Sequence, residues 1–300
     1  MMTKQVKADL MLVLVTAFWG ISYLLMDLAL TEIGPFSLNA FRFLGAFFLA
    51  AIAFFPRVRG VNKATLKYSA MVGFALIFVY IGATFGVLYT SLSNAGFLCA
   101  LTVVFTPVLD FLVFKKKPSK KLFIVLVMAF AGIALLTLTE SLRPALGDIL
   151  CLMCAVSYAT DLLITERAVA HEEVDAFQLG VFQLGFTGTG MLILSLIFEG
   201  PDVPKSAGAW GAVIVLSIFC TGAAFIVQAI AQQYTSASHV GVIFTLEPVF
   251  NSIVAFFIAH EVLTPQAYLG GVLLVASLLV MEIDFGQLPS TKAERKSQAP

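Results

Sequence analysis

Ten times along the 300-residue chain about twenty residues pass with almost no charge, and between these stretches there is room for little more than a turn. They fall at roughly 9–30, 35–55, 68–89, 92–114, 120–138, 147–166, 178–198, 210–231, 237–259 and 265–283. At 1.5 Å per residue a helix of that length matches a hydrocarbon layer about 30 Å thick. Lipid offers backbone amides no hydrogen-bond partner, so each run must satisfy its own peptide groups as a helix. Connections such as EIGPFS at 32–37 and EGPDVP at 199–204 carry turn residues and leave no space for an inserted soluble domain. The expectation is an all-α membrane protein with ten transmembrane helices. Composition agrees, since 60% of the residues are hydrophobic, 12% are charged and mean hydropathy is +0.97. Lys plus Arg equals Asp plus Glu at 18 each, so no basic field exists to hold nucleic acid.

Positive charge is placed unevenly. With the N-terminus inside, Lys4, Lys7, the arginines and lysines of 57–67, the five lysines of 115–121, Arg167 and the C-terminal basic residues all fall inside. Only Arg143 and Lys205 fall outside, and Arg42 lies within a span. Both termini are therefore expected in the cytoplasm, in an inner or plasma membrane. The first apolar stretch is too long for a signal-peptide core and reads as a span. Residues 284–300 are polar and read as a disordered cytoplasmic tail.

The two halves repeat each other. ADLMLVLVTAFWG (8–20) lies over GDILCLMCAVSYA (147–159), which pairs Asp9 with Asp148 and Trp19 with Tyr158. FSLNAFRFL (36–44) lies over FQLGVFQLG (177–185), which pairs Arg42 with Gln183. YTSLSNAG (89–96) lies over YTSASHVG (234–241) at an offset of 145. These alignments define two units, 1–138 with helices 1–5 and 147–283 with helices 6–10. Five is odd, so the second unit crosses in the opposite sense. Inverted repeats are the architecture of alternating-access carriers, whose sites lie near midplane.

A charge at the centre of a span costs about 2.5–3.5 kcal/mol on insertion scales, so each one needs a reason. Glu247 is the most central acid. Pro248 beside it lacks an amide hydrogen and crowds the carbonyl of Phe244, so the helix is expected to open there. Together they read as a proton or cation handle, or as a glutamate bonded to a neighbouring helix. Asp27 and Arg42 lie at compatible depths and read as an ion pair serving as clamp or gate, and His239 near the inner end of its span reads as a gate. Trp19, Ser22, Tyr23 and Met26 share one helix face. Tyr158 and Asp161 lie one turn apart, with Asp161 deep enough to need an aqueous cavity or a basic partner. Tyr80, Asn94, Gln183, Gln228 and Asn251 complete the groups able to line a cavity or to bond between helices. Cys151-x-x-Cys154 and Gly82-x-x-x-Gly86 read as packing. No metal-ligand cluster, nucleophile motif or phosphate loop appears, so no cofactor is expected.

FWG at 18–20, FRF at 41–43, the fourth-span string at 89–113 and YTSASHVGVIFTLEPVFNSIVAFFIAHE at 234–261 together resemble the EamA-type branch of the drug/metabolite transporter superfamily. The chain departs from it at His260-Glu261, and at Lys115 to Lys117 where a first-half acid is missing. The resemblance implies ten inverted helices and movement of small organic metabolites. The expected function is a secondary exporter or exchanger of amino acids or other amphipathic compounds, able to work as a monomer, with the lipid bilayer and a small-molecule substrate as its partners and no enzymatic activity. The alternative is an intramembrane enzyme acting on lipid-linked substrates through paired acids such as Asp161 and Glu247.

Overall fold

The computed structural model describes residues 3–89, 98–137, 146–200, 202–258 and 264–282, which are helices and short connections with no strand among them. In chain order the helices are α1 (Lys4–Leu30), α2 (Pro35–Ala53), α3 (Lys63–Tyr89), α4 (Thr102–Phe114), α5 (Lys120–Thr137), α6 (Leu146–Val169), α7 (Ala176–Phe198), α8 (Ala207–Ala231), α9 (Ala237–Ile258) and α10 (Pro265–Glu282), with one extra turn at Phe55–Val58. Seven of them, α1 to α3 and α6 to α9, are long and apolar enough to cross a bilayer. The apolar helices at Leu98–Phe114 and Pro265–Met281 are shorter. Asn94, most of the 89–96 string, His260-Glu261 and the 284–300 tail lie outside the described residues.

Several helices begin earlier than their apolar runs because a polar side chain caps them. The Thr3 hydroxyl accepts from the Val6 amide and starts α1 at Lys4, ahead of the apolar run. Asn62 accepts from the Thr65 amide at 2.7 Å and starts α3 five residues before its predicted span. Asp175, Ser206 and Ser236 cap α7, α8 and α9 in the same way. The outward faces carry Phe48, Ile52, Phe74, Ile149, Ile197 and Phe257, each more than half exposed. So much apolar surface suits hydrocarbon and not water.

Most of the larger helix contacts survive an exchange of the first five labels with the last five. The contact of α3 with α6 has its counterpart in α8 with α1, that of α3 with α7 in α8 with α2, and that of α1 with α9 in α6 with α4. The pairs α2 with α7, α4 with α9 and α5 with α10 map onto themselves. Small residues make the closest of these contacts. A Cβ on Gly82 would stand 2.5 Å from the Leu150 carbonyl, and one on Gly86 would stand 2.5 Å from Cys151 Sγ. Gly82-x-x-x-Gly86 and Cys151-x-x-Cys154 are thus two faces of one α3–α6 seam. At Gly20 of FWG a Cβ would meet the Asn251 amide nitrogen at 2.8 Å, so this glycine lets α1 touch the α9 backbone.

The segments that the charge count places inside gather at one end of the bundle. There the Gln178 amide donates to the Arg57 carbonyl, the Asp175 amide to Thr65, and Lys4 lies over the Tyr234 ring. Lys116 Nζ bridges Asp110 on α4 (3.3 Å) and Glu166 on α6 (3.6 Å), and Glu166 also accepts from the Ala237 amide that opens α9. Partial burial pushes the Lys116 ammonium down, but the carboxylates of Glu166 and Asp110 outweigh it and hold it above its ordinary value. His239 Nε2 lies 3.7 Å from Asp9, joining α9 to α1.

At the opposite end two carboxylates cap helices across the repeat. Glu199 accepts from the amides of Phe36 and Ser37 at 2.7 and 2.8 Å, satisfying the start of α2. Glu32 accepts from the amides of Lys205 and Ser206 at 2.7 and 2.9 Å at the start of α8. The Ser206 hydroxyl, then the Ser206 and Lys205 amides, hold the Glu32 carboxyl below its ordinary value. A lowered carboxyl pKa stabilises the fold above the unfolded value, about 4.3, and the contribution is lost as pH falls through the folded value. Glu32→Gln is therefore expected to melt lower than the wild type near neutral pH, the gap closing as the buffer is taken to acid. Melting curves in detergent across that range check it, and a gap that widens in acid contradicts the assignment.

Candidate functional site

Of the residues singled out in the sequence, Trp19, Arg42, Tyr80, Tyr158 and Gln228 come together in one aromatic cluster between the two halves. It begins on α1, where Trp19 is buried and packs its ring 4.7 Å from Phe244, 5.8 Å from Phe225 and 6.0 Å from Tyr158. Tyr158 stacks on Phe244 at 5.9 Å with the planes 13° apart. Phe43 joins Tyr80 at 4.7 Å and Phe225 at 5.8 Å. Trp19, Phe43, Phe225 and Phe244 are buried, whereas Tyr80, Tyr158, Glu247 and Asn251 keep part of their surface accessible. The result is an apolar wall with phenol and carboxylate edges.

Two breaks in helical regularity serve this cluster. In α8 the stretch Leu216–Ala223 winds as a π-helix. Such a bulge changes which carbonyls face the neighbouring helices and recurs at functional sites. Here the Cys220 carbonyl accepts the Trp19 indole N–H at 3.0 Å, and the Thr221 hydroxyl accepts from Arg42 Nε at 2.9 Å. In α9 the Thr245 and Leu246 amides bond three residues back, to Val242 and Ile243, and the regular helix resumes at Glu247. The change of pattern falls directly before Pro248, where the missing amide hydrogen was expected to loosen the ladder. Glu247 stands at this joint, and its charge is within electrostatic reach of Tyr80 and Tyr158.

Arg42 is 1% exposed, and among the described residues no carboxylate lies within ion-pair distance of it. Its partners are neutral: Thr221, Met26 Sδ at 3.4 Å, the Cys220 carbonyl at 3.5 Å, and the faces of Tyr80 (4.9 Å) and Phe43 (5.7 Å). The ion pair expected with Asp27 is not formed, and Asp27 is exposed. Successive helix positions point about 100° apart, so turning Met26 toward Arg42 turns Asp27 away. A guanidinium held only by neutral groups and aromatic faces keeps capacity for an anion.

Asp161 is 0% exposed, and among the described residues no basic group lies within ion-pair distance of it. Its Oδ2 accepts from Gln228 Nε2 at 3.2 Å; Gln228 Oε1 accepts from the Tyr158 hydroxyl at 3.0 Å. The chain extends from Gln228 to Gln232 at 3.4 Å, and Gln232 donates to the Leu162 carbonyl. An amide, able to donate and accept at once, takes the place expected for a basic partner. Gln183 donates to the Phe225 carbonyl at 3.3 Å, which supports the ring. The Ser22 hydroxyl bonds back to the Trp19 carbonyl at 2.7 Å and is occupied by its own helix. His239 pairs with Asp9 away from the aromatic cluster, and the side chain of Tyr23 lies outside the described set with Asn94.

Phe43, Phe225, Phe244, Cys220 and Thr221 were missed in the sequence reading. The phenylalanines are indistinguishable from lipid-facing ones in their apolar runs. For α8 the one available signal was Cys-Thr-Gly at 220–222, a small polar break in an otherwise apolar stretch.

The model of the EamA-like transporter family matches residues 6–138 and matches again over 145–283. The chain belongs to the EamA-like transporter family. This EamA-like protein is 28% identical over 283 residues to an uncharacterized transporter of Archaeoglobus fulgidus, covering 93% of this chain and 87% of that one. It is 23% identical over 292 residues to the uncharacterized transporter YoaV of Bacillus subtilis, covering 94% and 99%. A solved crystal structure shares its fold with a TM-score of 0.77 over 98% of this chain and 99% of the other, at 18% identity. The EamA-like chain is a multi-pass membrane transporter.

Proposed function

We propose that the protein is a secondary-active exporter or exchanger of small amphipathic zwitterions, with free amino acids of apolar or aromatic side chain as the leading class. The observation that carries this reading is the disposition of charge around the aromatic cluster. Arg42 offers a guanidinium to a carboxylate, Glu247 offers a carboxylate to an ammonium or a proton, and Tyr80, which lies against Arg42, and the neighbouring rings of Tyr158 and Trp19 offer a surface for an apolar side chain.

In this reading the ten spans form two inverted five-helix copies, 1–138 and 147–283, with both termini and the 284–300 tail in the cytoplasm of an inner or plasma membrane. The double family match and the exchangeable helix contacts support the duplication. The copies rock about the central cluster, and the Lys116 bridge and the His239–Asp9 pair fasten the cytoplasmic end in the conformation described. The protein can act as a monomer, because both charged groups come from one chain. For the rival reading, an intramembrane enzyme, the sealing of Asp161 against Gln228 withdraws one of its two acids.

Counterflow into proteoliposomes tests the substrate class. Phenylalanine or leucine is expected to exchange, while the analogue lacking the amine and the analogue lacking the carboxylate exchange at least tenfold more slowly. Equal rates for all three, or no flux of any, would remove the zwitterion assignment.

A further inference from the structure

Two apolar grooves open sideways on the bundle, away from the central cluster. One, of about 390 Å³, lies between α4 and α5, and the other, of about 420 Å³, lies between α9 and α10. They are the same feature in the two halves: Val108, Phe123 and Phe130 of the first stand 145 residues before Ile253, Tyr268 and Val275 of the second. That is also the offset between the 89–96 and 234–241 strings. All six side chains are more than two-fifths exposed.

The grooves differ at their mouths. The first ends at Pro118, inside the string Lys115-Lys116-Lys117-Pro118-Ser119-Lys120-Lys121. Lys116 is committed to Asp110 and Glu166, and Lys121 donates to the Met281 carbonyl. Lys115, Lys117 and Lys120 are exposed and make no ion pair or side-chain hydrogen bond among the described residues. Lys120 also continues the α5 stripe of Phe123, Val127 and Phe130 at helical spacing, which puts an ammonium in line with the groove floor. The corresponding connection of the second half, His260 to Gln266, contains no lysine or arginine.

We propose that the α4–α5 groove is a site for one anionic phospholipid, an acyl chain lying in the groove and the phosphate held by Lys115, Lys117 and Lys120. Depth selects this occupant. From Lys120 to Phe130 is ten residues, about 15 Å of helix, which is one leaflet of a layer about 30 Å thick. A chain that fills the groove therefore brings its headgroup level with the lysines. Each lysine near an anionic surface strengthens attraction by about fivefold, and basic pockets at membrane-facing helices hold such headgroups. The α9–α10 groove has the same apolar walls without the cations, so it takes acyl chains with no preference for charge. The assignment needs these lysines at a bilayer surface and does not depend on what the protein carries.

Native mass spectrometry of the full-length protein checks the proposal, after exchange into micelles with equal amounts of dioleoyl phosphatidylglycerol and dioleoyl phosphatidylcholine. The wild type is expected to retain one phosphatidylglycerol at least tenfold over phosphatidylcholine. The triple change Lys115→Gln, Lys117→Gln, Lys120→Gln is expected to abolish that preference without changing total lipid retained. Val127→Trp, which fills the groove, is expected to lose the bound anionic lipid, whereas Val272→Trp in the second groove leaves it. Glycerol phosphate, a headgroup without chains, should not displace it. Retention of both lipids alike by the wild type, a preference unchanged by the triple variant, or displacement by glycerol phosphate alone would overturn the site. Transport of amino acids can fail or succeed independently of each of these results.

Discussion

Arg42→Gln is expected to lower exchange of zwitterionic substrates by at least a hundredfold while leaving the folded protein as stable as the wild type, or more so. The two halves of this expectation come from one observation. A guanidinium that is 1% exposed, with only a hydroxyl, a carbonyl, a thioether and two ring faces around it, is expensive to keep without an anion. Replacing a buried charge by a neutral group of similar reach is often neutral or stabilising. Glutamine can still donate to Thr221, so the local bond has a substitute. It cannot balance a substrate carboxylate taken out of water, and losing one partner of such a pair costs about 3–5 kcal/mol, more than two decades in rate or affinity. Counterflow in proteoliposomes and melting in detergent, measured on the same preparation, separate the two. A large drop in melting temperature would make Arg42 a structural residue and withdraw the carboxylate contact.

The second large effect concerns coupling. Glu247→Gln is expected to abolish accumulation driven by a pH gradient, with a loss of at least a hundredfold, while Glu247→Asp retains a measurable part. Glu247 begins the second segment of α9, after the change of bonding at Thr245 and Leu246, within electrostatic reach of two phenols of the cluster. A carboxyl in that position can bind a proton or an ammonium, and an amide can bind neither as a charge. The informative comparison is between gradient-driven accumulation and exchange at equal pH. If Glu247 carries the proton alone, exchange survives in Glu247→Gln and accumulation does not. If it binds the substrate ammonium as well, both are lost, and substrates without an amine are spared. Wild-type accumulation by the glutamine variant would remove Glu247 from the mechanism.

Most of the helical architecture was legible because apolar run length is a one-dimensional signal. The spans at 35–55, 178–198, 210–231 and 237–259 match α2, α7, α8 and α9 to within a few residues, and the starts that moved did so through capping by Thr3 and Asn62. The joint before Glu247 was legible too, since proline acts on its own helix. The Asp27–Arg42 pair was not, because compatible depth leaves azimuth free, and Met26 rather than Asp27 faces the guanidinium. Nor was the hydrogen bond of Asp161 to Gln228, a residue 67 positions away whose orientation no local pattern records.

What the sequence determined by itself is the set of properties that depend on neighbours along the chain: helical spans in lipid, the likeness of its two halves, and the loosening of α9 at Pro248. Tertiary structure alone decided which rings surround Trp19, why Arg42 has neutral company, and how a π-helical turn of α8 presents Cys220 and Thr221 to both. The division has a physical cause. A membrane fixes helix length and depth through a field acting on every residue separately, whereas rotation about the helix axis is set only by packing between side chains far apart in sequence.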